Sequence, residues 1–222
     1  MAYFTNDFLE FFKELAGNNN KDWFDVNRKR YEKEIKDPFK KLVLDLIEAV
    51  DKVEGDIKID PKHAIFRINR DVRFSKDKTP YKTNVSAVIS KGGKKDHKNP
   101  GVYIELSPEH FRIYGGIYQL EKDDLLAVRE YISENKMAFN KAITNKEFKN
   151  KYGEIHGEKN KILPKHLKEF GEDIPLIYNK NWYYYATLDP KTILKDDLIE
   201  IILDHHKSAK QVNSFFKKAL LS

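Results

Sequence analysis

The residues of this chain best suited to chemistry lie in one basic stretch, residues 67–82. The stretch holds six basic side chains against two acidic ones, and three of the seven arginines in the chain fall inside it. Guanidinium groups present fixed N–H donors that match a carboxylate or a phosphate, so this cluster predicts either an anion site or a built ion-pair network. Its charged members are Arg67, Arg70, Asp71, Arg73, Lys76, Asp77, Lys78 and Lys82.

Alternation of polar and apolar residues predicts that residues 66–74 are extended. Neighbouring side chains of a strand lie on opposite faces, so the apolar members are expected to pack inward and the polar face to stay open. Thr79-Pro80 favours an extended turn that returns Tyr81 and Lys82 towards the arginines. One face then carries Arg67, Asn69, Asp71 and Arg73, and the other carries Phe66, Ile68, Arg70, Val72 and Phe74.

Our first functional hypothesis is a site that binds an anionic small molecule with a phosphate or carboxylate group, in a protein that could be an enzyme. We expect Asp71 to hold an arginine and Asp77 a neighbouring lysine, which leaves four positive charges for an anion to neutralise. Preorganised guanidinium groups also stabilise negative charge that develops during a reaction. The predicted ligand-binding cations are Arg67, Arg70, Arg73, Lys76, Lys78 and Lys82; the candidate catalytic residues are Tyr81, as a proton donor, Asp71 and Asp77.

Two other interpretations of the basic stretch stay open. The first is a binding module for nucleic acid or for an acidic protein, whose affinity falls steeply with salt. The second is a charge network that fixes a loop and binds nothing, because exposed ion pairs form readily and contribute little. The spacing of Asp71, Asp77 and Glu105 does not demand magnesium, and the adjacent His205 and His206 lack the i, i+4 spacing of a helical metal pair. We therefore predict no metal and no cofactor.

A second group of candidate residues precedes the basic stretch. Trp23, Asn27 and Tyr31 recur every four residues in a segment predicted to be helical, so they share one helix face. They either line a ligand pocket beside the arginines or form core with one satisfied amide. The Gly92-Gly93 loop, with its lysines and His97, is expected to be a plain hairpin loop rather than a lid, since it lacks the spacing of a P-loop.

The elements that position these residues follow from changes of hydrophobic period. Apolar residues at helical spacing give way to period-two alternation in the middle of the chain, where short connections favour antiparallel pairing. We predict a single α+β domain over residues 1–222, with a central antiparallel sheet flanked by N-terminal and C-terminal helices. Its segments are 1–54 helical, 62–118 mainly strand, 121–150 helical, 182–188 strand and 196–220 helical.

Local signals predict where several helices begin and end. Thr5 or Asn6 caps the first helix, and Asp37-Pro38 starts a later one that Gly55 ends. A short helix is expected around Met137 to Phe148, and one final helix over 196–220. In Trp182-Tyr-Tyr-Tyr185, alternate aromatics of a strand must face a core, which favours packing over the stacking of bases.

Composition narrows the class of protein further. A chain of 222 residues with 40% hydrophobic residues can bury a sizeable core. The absence of cysteine excludes disulfides, thiolate catalysis and iron–sulfur clusters. No secretory signal and no apolar run of about 20 residues is visible, so we expect a cytoplasmic protein without membrane contact. A pI near 9.1 permits nucleic-acid or acidic partners, and the oligomeric state is left open.

Three groups of residues carry a resemblance that covers nearly the whole chain. They are Asn19-Asn-Lys-Asp-Trp-Phe24 with Asn27, Tyr31 and Pro38-Phe39; the stretch from Arg70 to Lys82; and Gly115-Gly116 with Tyr118. In these features the chain resembles the domain of unknown function (DUF) 2461 family, a group of uncharacterised, mainly bacterial proteins. The resemblance implies no activity, because none is established for that family.

Overall fold

A computed structural model of the chain describes residues 1–96 and 98–221, so His97 of the Gly92-Gly93 loop lies outside the described residues. The α-helices are α1 (Asn6–Gly17), α2 (Lys21–Val26), α3 (Arg28–Tyr31), α4 (Asp37–Glu54), α5 (Pro61–Ala64), α6 (Lys122–Glu134), α7 (Lys136–Ile143), α8 (Lys146–Tyr152), α9 (Leu198–Ser208) and α10 (Lys210–Ala219). The strands are β1 (Val85–Ile89), β2 (Val102–Leu106), β3 (Phe111–Ile117) and β4 (Trp182–Leu188). A π-helical turn spans Glu32–Lys36, and 3₁₀ turns span Gly93–Lys95, Lys165–Phe170, Pro175–Tyr178 and Pro190–Leu194.

The four strands form one antiparallel sheet in the order β1-β2-β3-β4. Buried residues alternate with half-buried ones along β2 and at the start of β3, so one face packs on the core and the other is partly open. The predicted α+β class, with helices at both chain ends, is confirmed. Within the described residues, no helix is long and apolar enough to cross a membrane.

Two compact units are distinguished within the chain, and the first comprises Met1–Lys94, Tyr103–Ile113 and Thr187–Leu203. Helices α1 and α4 each present a buried apolar stripe in this unit. Burying each such side chain contributes about 1.5–3 kcal/mol, which makes these stripes the main stabilising element. Their largest buried members are Phe8, Phe11, Phe12, Leu15, Phe39, Leu42 and Leu46.

The helix boundaries in the first unit test the capping predictions. The Thr5 side chain accepts the N–H of Asp7, and Gly55 ends α4 with φ 82°, so both of these signals are confirmed. The start at Asp37-Pro38 is confirmed, since α4 begins at Asp37, but Asp37 is helical and is not the N-cap, because the π-helical turn Glu32–Lys36 runs directly into α4. A π-turn already disturbs the regular hydrogen-bond ladder, which is why the missing N–H of Pro38 is tolerated there.

The extended segment predicted for residues 66–74 is only partly formed. Ile65 and Asn69 make isolated antiparallel bridges with Ala87 and Tyr81, but the segment is not a strand of the sheet. The N–H of Arg70 donates to the Pro80 carbonyl at 2.9 Å, and pairing stops there. The segment 62–118 therefore holds less strand than predicted, and its regular strands begin at β1.

Residues 71–79 form a loop, for a physical reason that the alternation pattern did not reveal. Asp71, Asp77 and Thr79 accept hydrogen bonds from groups within the loop, and such local bonds compete with strand pairing. Phe74, expected to pack inward, is 96% exposed as a consequence. The inward packing of Phe74 is thus a wrong prediction.

The second unit comprises Lys95–Val102, Tyr114–Ala186 and Asp204–Ser222. Its core includes residues of α6, α7, α10 and β4, and in β4 the side chains of Trp182 and Tyr184 are buried, as the packing interpretation predicted. The single helix predicted around Met137 to Phe148 is wrong. The Asn145 side chain accepts the N–H groups of Glu147 and Phe148, so it caps a new helix and separates α7 from α8.

A glycine pair in β3 allows close backbone approach within the second unit. Gly116 has φ 103°, and a Cβ at this position would clash with the carbonyl oxygen of Trp182. A Cβ at Gly115 would clash with the Tyr184 hydroxyl. Only glycine fits both positions without displacing β4.

The final helical segment is divided in two. Ala209, with φ −93° and ψ 4°, separates α9 from α10, so the prediction of one helix over 196–220 is wrong. His205 and His206 are both buried. Among the described residues, no group of three or more His, Asp or Glu side chains is arranged to hold a metal ion.

Candidate functional site

Arg70, the residue before the loop 71–79, bonds to residues of the loop and holds its two ends together. Its Nη1 donates to Asp77 Oδ2 at 2.5 Å, to the Thr79 carbonyl at 3.2 Å and also to the Thr79 hydroxyl. A weaker bond joins its Nη2 to Ser75 Oγ at 3.5 Å. Asp77 was expected to pair with a lysine, and it pairs with an arginine instead. The Arg70 side chain is therefore engaged by its own loop.

The carboxylate of Asp77 is the fixed anion of this loop. The backbone N–H of Thr79 donates to its Oδ1 at 2.9 Å. This bond, followed by the hydrogen bonds from Arg70 and the Thr79 hydroxyl, lowers the pKa of Asp77 from 3.8 to about 2. Asp77 is consequently ionised at any physiological pH.

Arg73 and Asp71 form a second pair, two residues apart. The guanidinium donates from Nε to Oδ1 at 3.0 Å and from Nη2 to Oδ2 at 2.7 Å, which is the bidentate fork that Asp71 was expected to make. These bonds lower the pKa of Asp71, with a smaller contribution from the charge of Arg67. The Arg73 side chain is 77% exposed. Such a pair contributes little to stability.

Arg67 and Lys82 lie apart from these two pairs. Arg67 makes no hydrogen bond or ion pair with any described residue, and Lys82 makes none through its ammonium group. Lys82 is half-buried, with its Nζ 5.6 Å from the centre of the Phe66 ring. Burial lowers the pKa of Lys82, the positive charge of Arg67 lowers it further, and the negative charge of Glu105 opposes both. A half-buried lysine thus lies within electrostatic range of an exposed arginine.

Glu105, whose charge acts on Lys82, pairs with His110, and no joint role for these two residues was predicted. His110 Nε2 and Glu105 Oε1 are 2.8 Å apart, and the Tyr103 hydroxyl donates to Glu105 Oε2 at 3.4 Å. The turn that starts at Ser107 aligns the two side chains diagonally across the β2–β3 hairpin. The hairpin was predicted, so counting back from its turn would have found this pair.

Tyr81, the candidate proton donor, belongs to the core. It is 7% exposed and stacks on the Phe24 ring with the ring centres 4.0 Å apart. Its backbone N–H donates to the Asn19 side chain at 3.1 Å, and the Asn19 amide donates back to the Tyr81 carbonyl at 2.9 Å. These two hydrogen bonds between the Asn19 side chain and the Tyr81 backbone fix the return of the chain after the loop.

The candidate pocket residues Trp23 and Tyr31 both lie near the buried Phe11 ring, and Asn27 lies between them in the sequence. The Phe11 ring lies 5.5 Å from Trp23 and 5.8 Å from Tyr31, centre to centre. The Asn27 amide donates to the Trp23 carbonyl at 2.9 Å, within its own helical segment. Burial raises the pKa of Tyr31 to about 12. All three residues are half-buried, so pocket lining and core packing both stay predictions.

The two remaining lysines of the stretch lie on the loop 71–79. Lys78 Nζ donates to the Val72 carbonyl at 2.9 Å, whereas Lys76 has no ion pair among the described residues. Both side chains are exposed. The six predicted cations are thus distributed: two are paired with carboxylates of the loop, two lie on its surface, and Arg67 and Lys82 lie within electrostatic range of each other.

The Gly92-Gly93 loop begins with an anchored segment. A Cβ on Gly93 would lie 2.5 Å from the His63 carbonyl oxygen, and Lys94 Nζ donates to the carbonyls of Lys62 and Ile65 at 2.8 and 2.6 Å. In the second unit, Lys98 Nζ lies 2.8 Å from Asp124 Oδ1. Two lysines of this loop, Lys94 and Lys98, are therefore bound to protein atoms.

The fold and these charge pairs define an α+β protein with a basic loop beside a half-open sheet face. Residues 7–215 match the family model described as "Conserved hypothetical protein (DUF2461)". The chain belongs to this DUF2461 family, as the resemblance at Arg70 to Lys82 indicated. A search of curated proteins returned no match.

Proposed function

We propose that Arg67 and Lys82 bind a small anion that carries a carboxylate or phosphate group. The observation that supports this most strongly is that the half-buried Lys82 lies within electrostatic range of the exposed Arg67, and neither has an ion-pair partner among the described residues. Like charges repel, and desolvation increases the repulsion, so this arrangement costs free energy until an anion neutralises it.

The contrast with the loop arginines supports the choice of these two residues. Arg70 and Arg73 already donate to carboxylates, and a ligand would have to displace Asp77 or Asp71 to reach those donors. Arg67 keeps its full set of guanidinium donors for a bidentate contact. We therefore assign the anion to Arg67 and Lys82 and give Arg70 a supporting role in the loop.

The His110–Glu105 pair extends the proposal to proton transfer. A carboxylate that accepts from Nε2–H fixes the histidine tautomer and leaves Nδ1 as a proton acceptor. Glu105 is close enough to Lys82 for its charge to act on the lysine ammonium. An anion held by Lys82 would thus lie within electrostatic range of the carboxylate that pairs with His110.

Isothermal titration calorimetry with inorganic phosphate and with citrate tests the proposal. Arg67→Ala and Lys82→Ala should each weaken binding at least tenfold, the equivalent of about 1.4 kcal/mol. Arg28→Ala is the matched control, because Arg28 is an exposed arginine paired with Asp25, and its loss should leave the affinity unchanged. Wild-type protein that binds neither probe would refute the proposal, and an equal loss in Arg70→Ala would move the site to the loop.

A second measurement addresses Lys82 itself. Because burial and Arg67 lower the pKa of Lys82, a bound anion should raise it again and draw a proton from the solvent at alkaline pH. Calorimetry at pH 9.5 in two buffers of different ionisation enthalpy measures this uptake. Lys82→Arg should keep binding and lose the uptake, since arginine stays charged. Uptake that persists in Lys82→Arg would assign the proton to another group.

A further inference from the structure

The loop 71–79 presents an aromatic side chain to solvent. Phe74 is 96% exposed. A phenylalanine left in water forgoes the stabilisation that burial would contribute. Single exposed apolar residues are common, so exposure alone decides nothing. The surroundings of this ring are what distinguish it.

The loop that carries Phe74 is held in shape by its own side chains. Arg70 joins residues 75, 77 and 79, the Asp71–Arg73 fork closes the first turn, and Lys78 Nζ donates to the Val72 carbonyl. A ring on such a loop is presented in a fixed position, and a partner that binds it loses little additional conformational entropy.

One cation lies against the ring, and two more follow it in the loop. The Arg73 guanidinium carbon is 5.9 Å from the centre of the Phe74 ring, and Arg73 stays mostly exposed although it pairs with Asp71. Lys76 and Lys78 follow within four residues, and both are exposed. An aromatic face with neighbouring positive charge provides a stacking surface for a base and contacts for the adjoining phosphates.

We propose that Phe74, with Arg73, Lys76 and Lys78, is a contact surface for single-stranded nucleic acid. A base stacks on the Phe74 ring, and the three cations bind the phosphates on either side of it. A protein partner fits less well, because protein hot spots are surrounded by further apolar contacts and this loop offers only the half-buried Val72 beside Phe74. One ring and a few charges are also a weak anchor for a lipid surface.

Fluorescence anisotropy with a labelled 12-nucleotide single strand, measured at several salt concentrations, tests the proposal. Three phosphate contacts predict that log K falls against log salt with a slope of about −2. Phe74→Ala should weaken binding roughly tenfold and leave this slope unchanged, because stacking releases no counterions. Lys76→Ala should reduce the slope by about 0.7. Met137→Ala, another change at a highly exposed apolar side chain, should alter neither quantity.

Two further arms distinguish stacking from general attraction of polyanions. A strand containing 2-aminopurine should lose fluorescence on binding to the wild type and keep it with Phe74→Ala. Polyglutamate of similar charge should bind more weakly than the oligonucleotide and should not respond to Phe74→Ala. Equal binding of polyglutamate, no binding of the strand at low salt, or Phe74-dependent binding to phosphatidylserine vesicles alone would each overturn the proposal.

Discussion

The arginines of the loop 71–79 and Arg129 of the second unit show two different ways of placing a guanidinium group. Arg70 and Arg73 are paired with carboxylates that lie seven and two residues away in the sequence, and water reaches both pairs. Arg129 is 4% exposed and makes no ion pair with any residue in the described ranges. Its Nη2 donates to the carbonyls of Tyr178 and Asn179 at 3.2 and 2.9 Å.

The difference indicates that the contribution of a guanidinium to the free energy of unfolding depends on its hydrogen-bond partner and on its burial. The two carbonyls lie at the end of a short 3₁₀ turn, where backbone acceptors lack helical partners. Burial lowers the pKa of Arg129, and its Nε is buried without a hydrogen-bond acceptor among the described residues. The loop arginines organise a surface, whereas Arg129 satisfies buried backbone. We expect the second role to matter more for stability.

The largest effect is expected for Arg129→Met. Methionine fills part of the space but leaves the Asn179 carbonyl without its donor, whereas the Tyr178 carbonyl keeps the N–H of Asn160 at 2.8 Å. Relief from burying an uncompensated charge opposes this loss, so we expect a net decrease of about 2 kcal/mol in the free energy of unfolding. Urea denaturation followed by circular dichroism measures it.

The control for Arg129 is Lys136→Ala, which removes an exposed lysine paired with Asp173 in the same unit. This change should alter the free energy of unfolding by less than about 0.5 kcal/mol. If Arg129→Met proved as stable as the wild type, the cost of burying the charge would cancel the hydrogen bonds. Arg129 would then contribute no more to the free energy of unfolding than the loop arginines do.

A smaller effect is expected for Arg70→Ala. This arginine is partly buried and bonds both a carboxylate and a backbone carbonyl, so we expect a loss of about 1 kcal/mol in the free energy of unfolding. Limited trypsin digestion should cut within 71–79 several times faster than in the wild type. Arg70→Lys should not restore protection, because a lysine cannot reproduce the fork of donors. Unchanged cleavage would show that the loop holds its shape without Arg70.

Much of the fold could be predicted from the sequence, because its signals are local. The cap at Thr5, the end at Gly55 and the alternation in Trp182-Tyr-Tyr-Tyr185 each depend on a few neighbouring residues. The same local logic failed at Asn145, which caps α8 and divides a helix that periodicity alone would continue. Hydrophobic periodicity indicates which residues are buried. It does not indicate where a side chain takes the place of a backbone carbonyl as a hydrogen-bond acceptor.

The candidate site was predictable in its residue types but not in its pairing. The Asp71–Arg73 fork spans two residues and was expected, whereas Asp77 had several cations within reach and took Arg70. Phe74 was assigned to a buried face because the alternation continued past Arg70. The acceptors of Arg129 lie 49 and 50 residues away, and no local pattern connects residues at that distance.

The pH dependence of the loop should be confined to acid. The pKa of Asp77 is depressed from 3.8 to about 2, so its contribution to the loop is fully present above about pH 4 and is lost as the pH falls through 2. NMR of the Asp77 side chain should report this pKa directly. Asp77→Asn should make trypsin cleavage of the loop, assayed at pH 8, as fast as in Arg70→Ala. A measured pKa near 4 would mean that the bonds from Thr79 and Arg70 do not form in solution.

The smallest effect is expected for Arg73→Ala. Arg73 and Asp71 are both exposed, and water and salt screen their attraction. We therefore expect no measurable change in the free energy of unfolding, although the fork has better geometry than the contacts of Arg129. The pKa of Asp71 should rise towards its ordinary value, because the side-chain hydrogen bond from Arg73 is the main cause of its depression. A clear loss of stability together with that rise in pKa would show that an exposed fork can matter as much as a buried one, and the ranking by burial would be wrong.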